Sequence, residues 1–178
     1  MLRKMWKFLW KDDSVISWVV NILLAFLIVK FLIYPGLGFA LGTSYPVVAV
    51  VSGSMNHNGN FDKWYMEKGS WYDLEKNEMK KWIFRDGFDR GDIMFLKGAD
   101  EIKVGDVVVF RGNSANPIIH RVVEVRDGYY VTKGDNNPDS YSALGEDHVE
   151  DREIIGEAFG RIPILGYVKI IFSEVLGG

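Results

Sequence analysis

From Val15 to Val29 the chain reads VISWVVNILLAFLIV, with Ser17 and Asn21 as its polar residues, and after Lys30 the apolar run resumes as FLIYPGLGFALG. A helix rises about 1.5 Å per residue and needs roughly 20 apolar residues to cross the hydrocarbon core of a bilayer. Ser17 to Tyr34 approaches that length if Lys30 snorkels towards an interface. One spanning helix is predicted here, ending near Pro35 and Gly36, since proline lacks a backbone donor and both residues disfavour helix continuation. The preceding tail MLRKMWKFLWKDD sets Arg3, Lys4, Lys7 and Lys11 against Asp12 and Asp13. The positive-inside rule then keeps the N-terminus cytoplasmic and puts everything after about Leu41 outside. A cleavable leader is the competing reading, but its apolar region would be only about 7–15 residues and be followed by an A-x-A-like site, which TSYPVV does not supply. A buried core helix is disfavoured by the length of the run.

A length of 178 residues accommodates one domain with an appendage, because a domain takes on the order of 100–200 residues. The expected divisions are a cytoplasmic tail at 1–14, a transmembrane helix and linker at 15–42, and an extracytoplasmic β-domain at 43–178. A formal net charge of -3, without a basic stripe interleaved with aromatics, argues against a nucleic-acid partner. The absence of cysteine excludes a disulfide framework, a thiolate nucleophile and a Cys-type zinc site.

Beyond the apolar run the pattern shifts to short β-like segments: PVVAVV at 46–51, DIMFL at 92–96 and DVVVFR at 106–111. A mainly β domain is expected. IIHRVVEVR (118–126), then Asp127-Gly128, then YYVTK (129–133) is a strong two-residue hairpin signal. With that loop and an uninterrupted ladder, Arg126 pairs with Tyr129 and His120 falls opposite Asp135, close enough for a carboxylate there to reach the imidazole. A bulge would alter the register.

The stretch 57–89 is rich in aromatics, among them Trp64, Tyr72 and Trp82. Ser70 followed by Asp73 resembles a capping box, and YDLEKNEMKKWIF favours a short helix ending before Gly87. A small helical insert that packs against the β-domain is expected. For the terminal IPILGYVKIIFSEVLGG a closing core strand with a short trailing helix is expected, since it is short for a second span.

Ser52, Gly53, Ser54 and Met55 follow directly on the apolar strand, a small flexible corner from which a hydroxyl can project. A serine hydroxyl is a weak nucleophile unless a base takes its proton. Of the three histidines, His57 lies in a polar HNGN stretch and His148 in the acidic run GEDHVEDRE, where a solvated role is favoured. His120 sits among β-branched residues, where an unsatisfied imidazole is costly, and TKGDNNPDS (132–140) offers Asp135 and Asp139 as carboxylates that could fix its tautomer.

Together these segments resemble the type I signal peptidase family, in its archaeal and endoplasmic-reticulum branch. The matches run in family order: the N-terminal span, SGSM at 52–55, RGDIMF at 90–95, HRVV at 120–123, TKGDNN at 132–137, and RIPILGYV near the end. The bacterial branch has a lysine where this sequence has His120. The resemblance implies a signal-peptidase-like β-domain and a serine endopeptidase that removes signal peptides from secretory precursors after small residues. Ser54 would be the nucleophile and His120 the general base. Asp139 is favoured as the orienting carboxylate with Asp135 in support, although the hairpin register alone favours Asp135. Ser52 and the backbone amide of Ser54 are candidates for binding the oxyanion, and Met55 for contacting substrate. No cofactor or metal is implied; the expected partners are precursor signal peptides, the lipid membrane and the translocation machinery. A repressor-like self-cleaving protease would need a lysine base and a DNA-binding N-terminus. A noncatalytic scaffold would have no chemical need for Ser54 and His120, and a His-based zinc hydrolase would need a closer histidine pair.

Overall fold

A computed structural model describes residues 2–72 and 74–164, and its internal contacts divide the chain between Ala40 and Leu41. In the N-terminal unit, α1 (Leu2–Lys11) leads through a turn to α2 (Val15–Ile28), whose cap is the side chain of Ser14 accepting from the Ser17 amide at 3.2 Å. A π-helical turn (Val29–Ile33) and α3 (Tyr34–Leu41) continue it. The whole helix, Val15–Leu41, is 27 residues long and holds an 18-residue stretch of mean hydropathy 2.5, long and apolar enough to cross a membrane. Ser17 and Asn21 are satisfied locally: Ser17 Oγ donates to the Phe8 carbonyl at 2.7 Å and Asn21 Nδ2 to the Leu9 carbonyl at 2.9 Å. These are carbonyls of the last turn of α1, which have no acceptor role within that helix.

The expected stop at Pro35 and Gly36 is not a stop. The helix runs on to Leu41 because the turn before the proline widens, the Tyr34 amide donating to the Val29 carbonyl five residues back. A π turn of this kind relieves the clash of the proline ring with the preceding turn without breaking the helix.

The second unit is built on one antiparallel six-stranded sheet in the order β1-β2-β6-β3-β4-β5, with β1 Val47–Ala49, β2 Ile93–Lys97, β3 Val107–Phe110, β4 Ile118–Arg126, β5 Tyr129–Lys133 and β6 Ile154–Ile162. β3 is buried on both faces: Val107 and Val109 join Met55, Met94 and Leu96 in one core, while Val108 and Phe110 join Val122 and Val149 in another. That division follows from the side-chain period of two along a strand. β6 lies between β2 and β3. Its Gly156 packs so closely against β2 that a Cβ there would sit 2.6 Å from the Lys97 carbonyl oxygen, so the residue that weakens the strand pattern is the one the packing requires. The tail beyond Ile164, where a trailing helix is expected, lies outside the described residues.

The insert forms α4 (Phe61–Lys68), a 3-10 turn (Gly69–Trp71) and α5 (Lys76–Met79). The helix expected from Tyr72 onwards is thus reduced to one turn, and the longer helix precedes it, started by Asn60, whose side chain accepts from the Lys63 amide at 3.0 Å. The capping partner proposed for Ser70, Asp73, lies outside the described residues. Phe61, Trp64, Tyr72 and Met79 bury themselves against Val123 of β4, so the insert is packed on the sheet.

Gly87 closes the insert back onto the chain at Met55 to His57. It has φ +70°, and an added Cβ would lie 2.4 Å from the Met55 carbonyl oxygen and 2.8 Å from the His57 ring. Gly59, with φ +66°, faces open space. Gly87→Ala is expected to cost at least about 2 kcal/mol and lower the melting midpoint by more than about 4 °C, against about 1 kcal/mol of left-handed strain for Gly59→Ala. Melting both in detergent tests this; equal midpoints would show that the Gly87 contact is not tight.

Candidate active site

β1 delivers the chain to Ser52–Met55, and both sides of that turn are pinned. The Val50 amide donates to the Asp92 carbonyl and the Gly91 amide to the Val50 carbonyl, each at 2.9 Å. Asp92 itself, from the RGDIMF segment, accepts from the Asp89 and Ile164 amides at 3.1 and 3.0 Å and pairs with Arg161. Met55 is wholly buried with Val50, Phe88 and Met94. Met55 therefore anchors the turn from below, which corrects the expectation that it meets substrate. Held in this way, Ser54 is half-buried at the surface and its Oγ lies 3.1 Å from Ser52 Oγ.

His120 comes from β4, opposite Val108 of β3, and its Nε2 lies 2.9 Å from Ser54 Oγ. The ring is buried. On its other side Nδ1 abuts Glu146 Oε1, and neither atom has a further partner among the described residues. The carboxylate at Nδ1 assigns the proton there, leaving Nε2 as the acceptor facing the serine hydroxyl. Glu146 is fully buried, and its second oxygen accepts from the Tyr141 amide at 2.6 Å, while its carbonyl accepts from the Thr132 amide of β5 at 2.7 Å. Serine, imidazole and carboxylate thus stand in line, an arrangement that can take a proton from the hydroxyl as it attacks and return it to a leaving group.

Neither expected aspartate occupies that place. Asp139 is exposed and accepts from the Ser140 amide at 2.7 Å. Asp135 is buried elsewhere, for a reason of register. Arg126 does pair with Tyr129, but the ladder slips between Val122 and Glu124, so Arg121 pairs with Lys133. The bulge at Val123 moves the residue across from His120 from Asp135 to Gly134, where a Cβ would lie 2.9 Å from His120 Nε2. Asp135 is then the diagonal neighbour of Arg121, on the face away from His120 and within reach of a long side chain.

There the Arg121 guanidinium grips it, Nε at 3.0 Å from Oδ1 and Nη2 at 2.7 Å from Oδ2. His57 Nε2 lies 2.8 Å from Oδ2, and Tyr72 OH donates to Oδ1 at 3.0 Å. Burial by itself would push the Asp135 carboxyl up, but Arg121 and His57 outweigh it and hold the group well below the usual carboxylate range. Burial, and then the facing Asp135 charge, push the Tyr72 hydroxyl well above 10.0. Burial also lowers Lys133 to about 8, its Nζ donating to the Gly134 carbonyl at 3.2 Å. His57, read from sequence as a solvated residue, is stacked on Trp64 at 4.2 Å between ring centroids, whereas His148 is exposed and stacked on Tyr129. Among the described residues no group of three His, Cys, Asp or Glu side chains is placed to hold a metal ion.

Because Asp135 binds its proton more weakly folded than unfolded, its contribution is present above about pH 4 and is lost as pH falls from there towards the depressed folded value. Asp135→Asn is expected to destabilise by about 3–5 kcal/mol at pH 7, with the gap to wild type narrowing between about pH 5 and pH 3. Thermal melts across that range check it; a gap independent of pH would mean that the carboxylate is not held ionised.

The chain is 32% identical over 155 residues to the signal peptidase complex catalytic subunit sec11 of Sclerotinia sclerotiorum, covering 81% of this chain and 73% of that protein. It is 33% identical over 156 residues to the SEC11 subunit of Metarhizium robertsii, again covering 81% and 73%. To human signal peptidase complex catalytic subunit SEC11C it is 30% identical over 154 residues, which is 80% of this chain and 65%, slightly under two thirds, of the human protein. No family model and no solved structure matches the chain.

Proposed function

The chain belongs to the type I signal peptidase family, and from that premise we propose that it is a membrane-anchored serine endopeptidase that removes signal peptides from secretory precursors after small residues. The observation that carries the reading is the 2.9 Å approach of His120 Nε2 to Ser54 Oγ, with a buried carboxylate behind the ring. Ser54 attacks the scissile carbonyl as His120 takes its proton. The tetrahedral oxyanion is met by the Ser54 amide and the Ser52 hydroxyl. The imidazolium, steadied by Glu146, returns the proton to the leaving amine; a water then attacks the acyl-enzyme with His120 again as base, freeing Ser54.

Delivery of the peptide follows from the sheet. β1 is an edge strand, paired to β2 on one side, and it runs directly into Ser52. An extended segment aligned with its free edge would arrive at Ser54 with side chains alternating towards the protein, which suits small residues at alternate positions. The apolar helix Val15–Leu41 is the anchor in this reading. The basic tail stays in the cytoplasm, the catalytic unit lies outside, and the translocation machinery is the source of emerging precursors.

Cleavage of a signal-peptide-bearing precursor in detergent, with products mapped by mass, tests the assignment. Ser54→Ala and His120→Ala are expected to abolish site-specific cleavage. Ser52→Ala is expected to lower kcat by about 10²–10³-fold. Glu146→Ala is expected to lower kcat by about 10⁴-fold, while the exposed Asp139→Ala stays within about twofold of wild type. The reverse order for Glu146 and Asp139 would return the orienting role to the aspartate.

A further inference from the structure

The aromatic insert touches none of the atoms that react, yet its side chains converge on one carboxylate directly behind the nucleophile. We propose that the insert is a clamp that sets the position of Ser54, acting through Asp135, with Tyr72, Trp64 and His57 as positioning residues. This rests on the reading of Ser54 as the nucleophile.

Each polar atom of Asp135 is engaged. Oδ1 accepts from Tyr72 OH at 3.0 Å, Oδ2 from His57 Nε2 at 2.8 Å, and the carbonyl from Trp64 Nε1 at 2.9 Å. Its amide points at Met55 Sδ, 3.3 Å away. The next residue, Asn136, donates its amide to the carbonyl of Ser54 itself at 2.7 Å and its side-chain nitrogen to the Gly53 carbonyl at 3.4 Å. The peptide that carries Asp135 is therefore stitched to three consecutive residues of the catalytic turn.

Arg121 alone would neutralise Asp135, since it already binds both oxygens. What the insert adds is direction. A bidentate guanidinium fixes the charge and the plane of the carboxylate, whereas Tyr72 and His57 fix its roll and Trp64 fixes the peptide plane. The Trp64 ring lies flat on His57, 4.2 Å away with 9° between planes, and Trp82 meets Tyr72 edge-on at 4.8 Å. These contacts leave the donors little freedom to turn. The position of a nucleophile matters steeply: a shift of about 1 Å can cost about 100-fold in rate.

The experiment uses the full chain in detergent, below the melting temperature of every variant. It compares wild type, Tyr72→Phe, Trp64→Phe, His57→Gln, His57→Ala and, as an exposed insert control, Met66→Ala. Two rates are read: precursor cleavage, resolved into kcat and KM, and acylation of Ser54 by a fluorophosphonate, mapped by mass. Tyr72→Phe and Trp64→Phe are expected to lower kcat and the labelling rate together by about tenfold, with KM within about twofold of wild type. His57→Gln, which can still donate at the former Nε2 position, is expected to recover most of what His57→Ala loses, and Met66→Ala to match wild type. Should Tyr72→Phe fail to fold, the His57 pair carries the same test. A labelled, active wild type whose insert variants stay within about twofold in both rates overturns the clamp alone. A wild type that neither cleaves nor labels at Ser54 overturns the nucleophile reading, and the clamp with it.

Discussion

The catalytic unit is organised around one buried ion pair, Arg121 with Asp135, both fully shielded from solvent. Removing two charges from water costs several kcal/mol for each, and mutual attraction offsets that only when every remaining donor and acceptor is satisfied. The fold meets the condition in full. Arg121 Nη1 donates to the Gly105 and Ile83 carbonyls at 2.7 and 3.3 Å, Nη2 donates to the Phe84 carbonyl at 3.0 Å as well as to Asp135, and the Trp82 ring covers the guanidinium at 4.8 Å. Two of those carbonyls and the tryptophan come from the insert, so a segment that looks appended in sequence is required by the charge it encloses. The pair ties together β4, the loop after β5, the insert and the turn before β3, and Ser54 sits on what it holds.

A single extra residue in β4 decides which carboxylate goes where. His120 and Arg121, adjacent on the strand, face opposite ways, and the bulge at Val123 sets Gly134 across from the first and Asp135 diagonal to the second. Two His–carboxylate pairs result, and they differ in the ring atom used. In His57 the carboxylate takes Nε2 and the ring is sealed under Trp64. In His120 it takes Nδ1, which leaves Nε2 pointing at a half-exposed hydroxyl. Only the second can relay a proton between a nucleophile and a leaving group. The first can only hold its partner still.

What the sequence reveals and what it hides follow from the range of the interactions. The β4–β5 hairpin is legible to the residue because Asp-Gly and period-two alternation are local. Ser54 and His120 are legible because a small turn after a strand and an imidazole among β-branched residues are both unusual. β6 escapes because Gly156, Glu157 and Gly160 break its alternation; Gly156 is required by the close approach of β2, and Glu157 pairs with Lys97 of that strand. The bulge has no signature in VVEV, so a register counted from the turn goes wrong three residues before it reaches His120. Glu146 is hidden most completely: in GEDHVEDRE it is one acid among several, and its burial depends on a 3-10 turn at Ser142–Leu144 that folds it under β5. His57 is concealed in the same way, in a polar stretch whose partner lies 78 residues away.

Glu146 also shows how the path of a loop decides which acid stands behind the His120 imidazole. The segment from Gly134 to Glu146 leaves β5, turns through Asn136, which is committed to the Ser54 carbonyl, and returns to donor distance of β5 at Thr132. Asp139 falls on the outward arc of this path, where its carboxylate serves the local turn. The next acid that the path brings inward is Glu146, and its extra methylene supplies the reach from the backbone to Nδ1. The Tyr141 amide occupies its second oxygen, so the carboxylate is oriented before the imidazole calls on it. A buried acceptor with one oxygen fixed by the Tyr141 amide and the other facing Nδ1 holds the His120 ring in one orientation and can stabilise a positive charge on it.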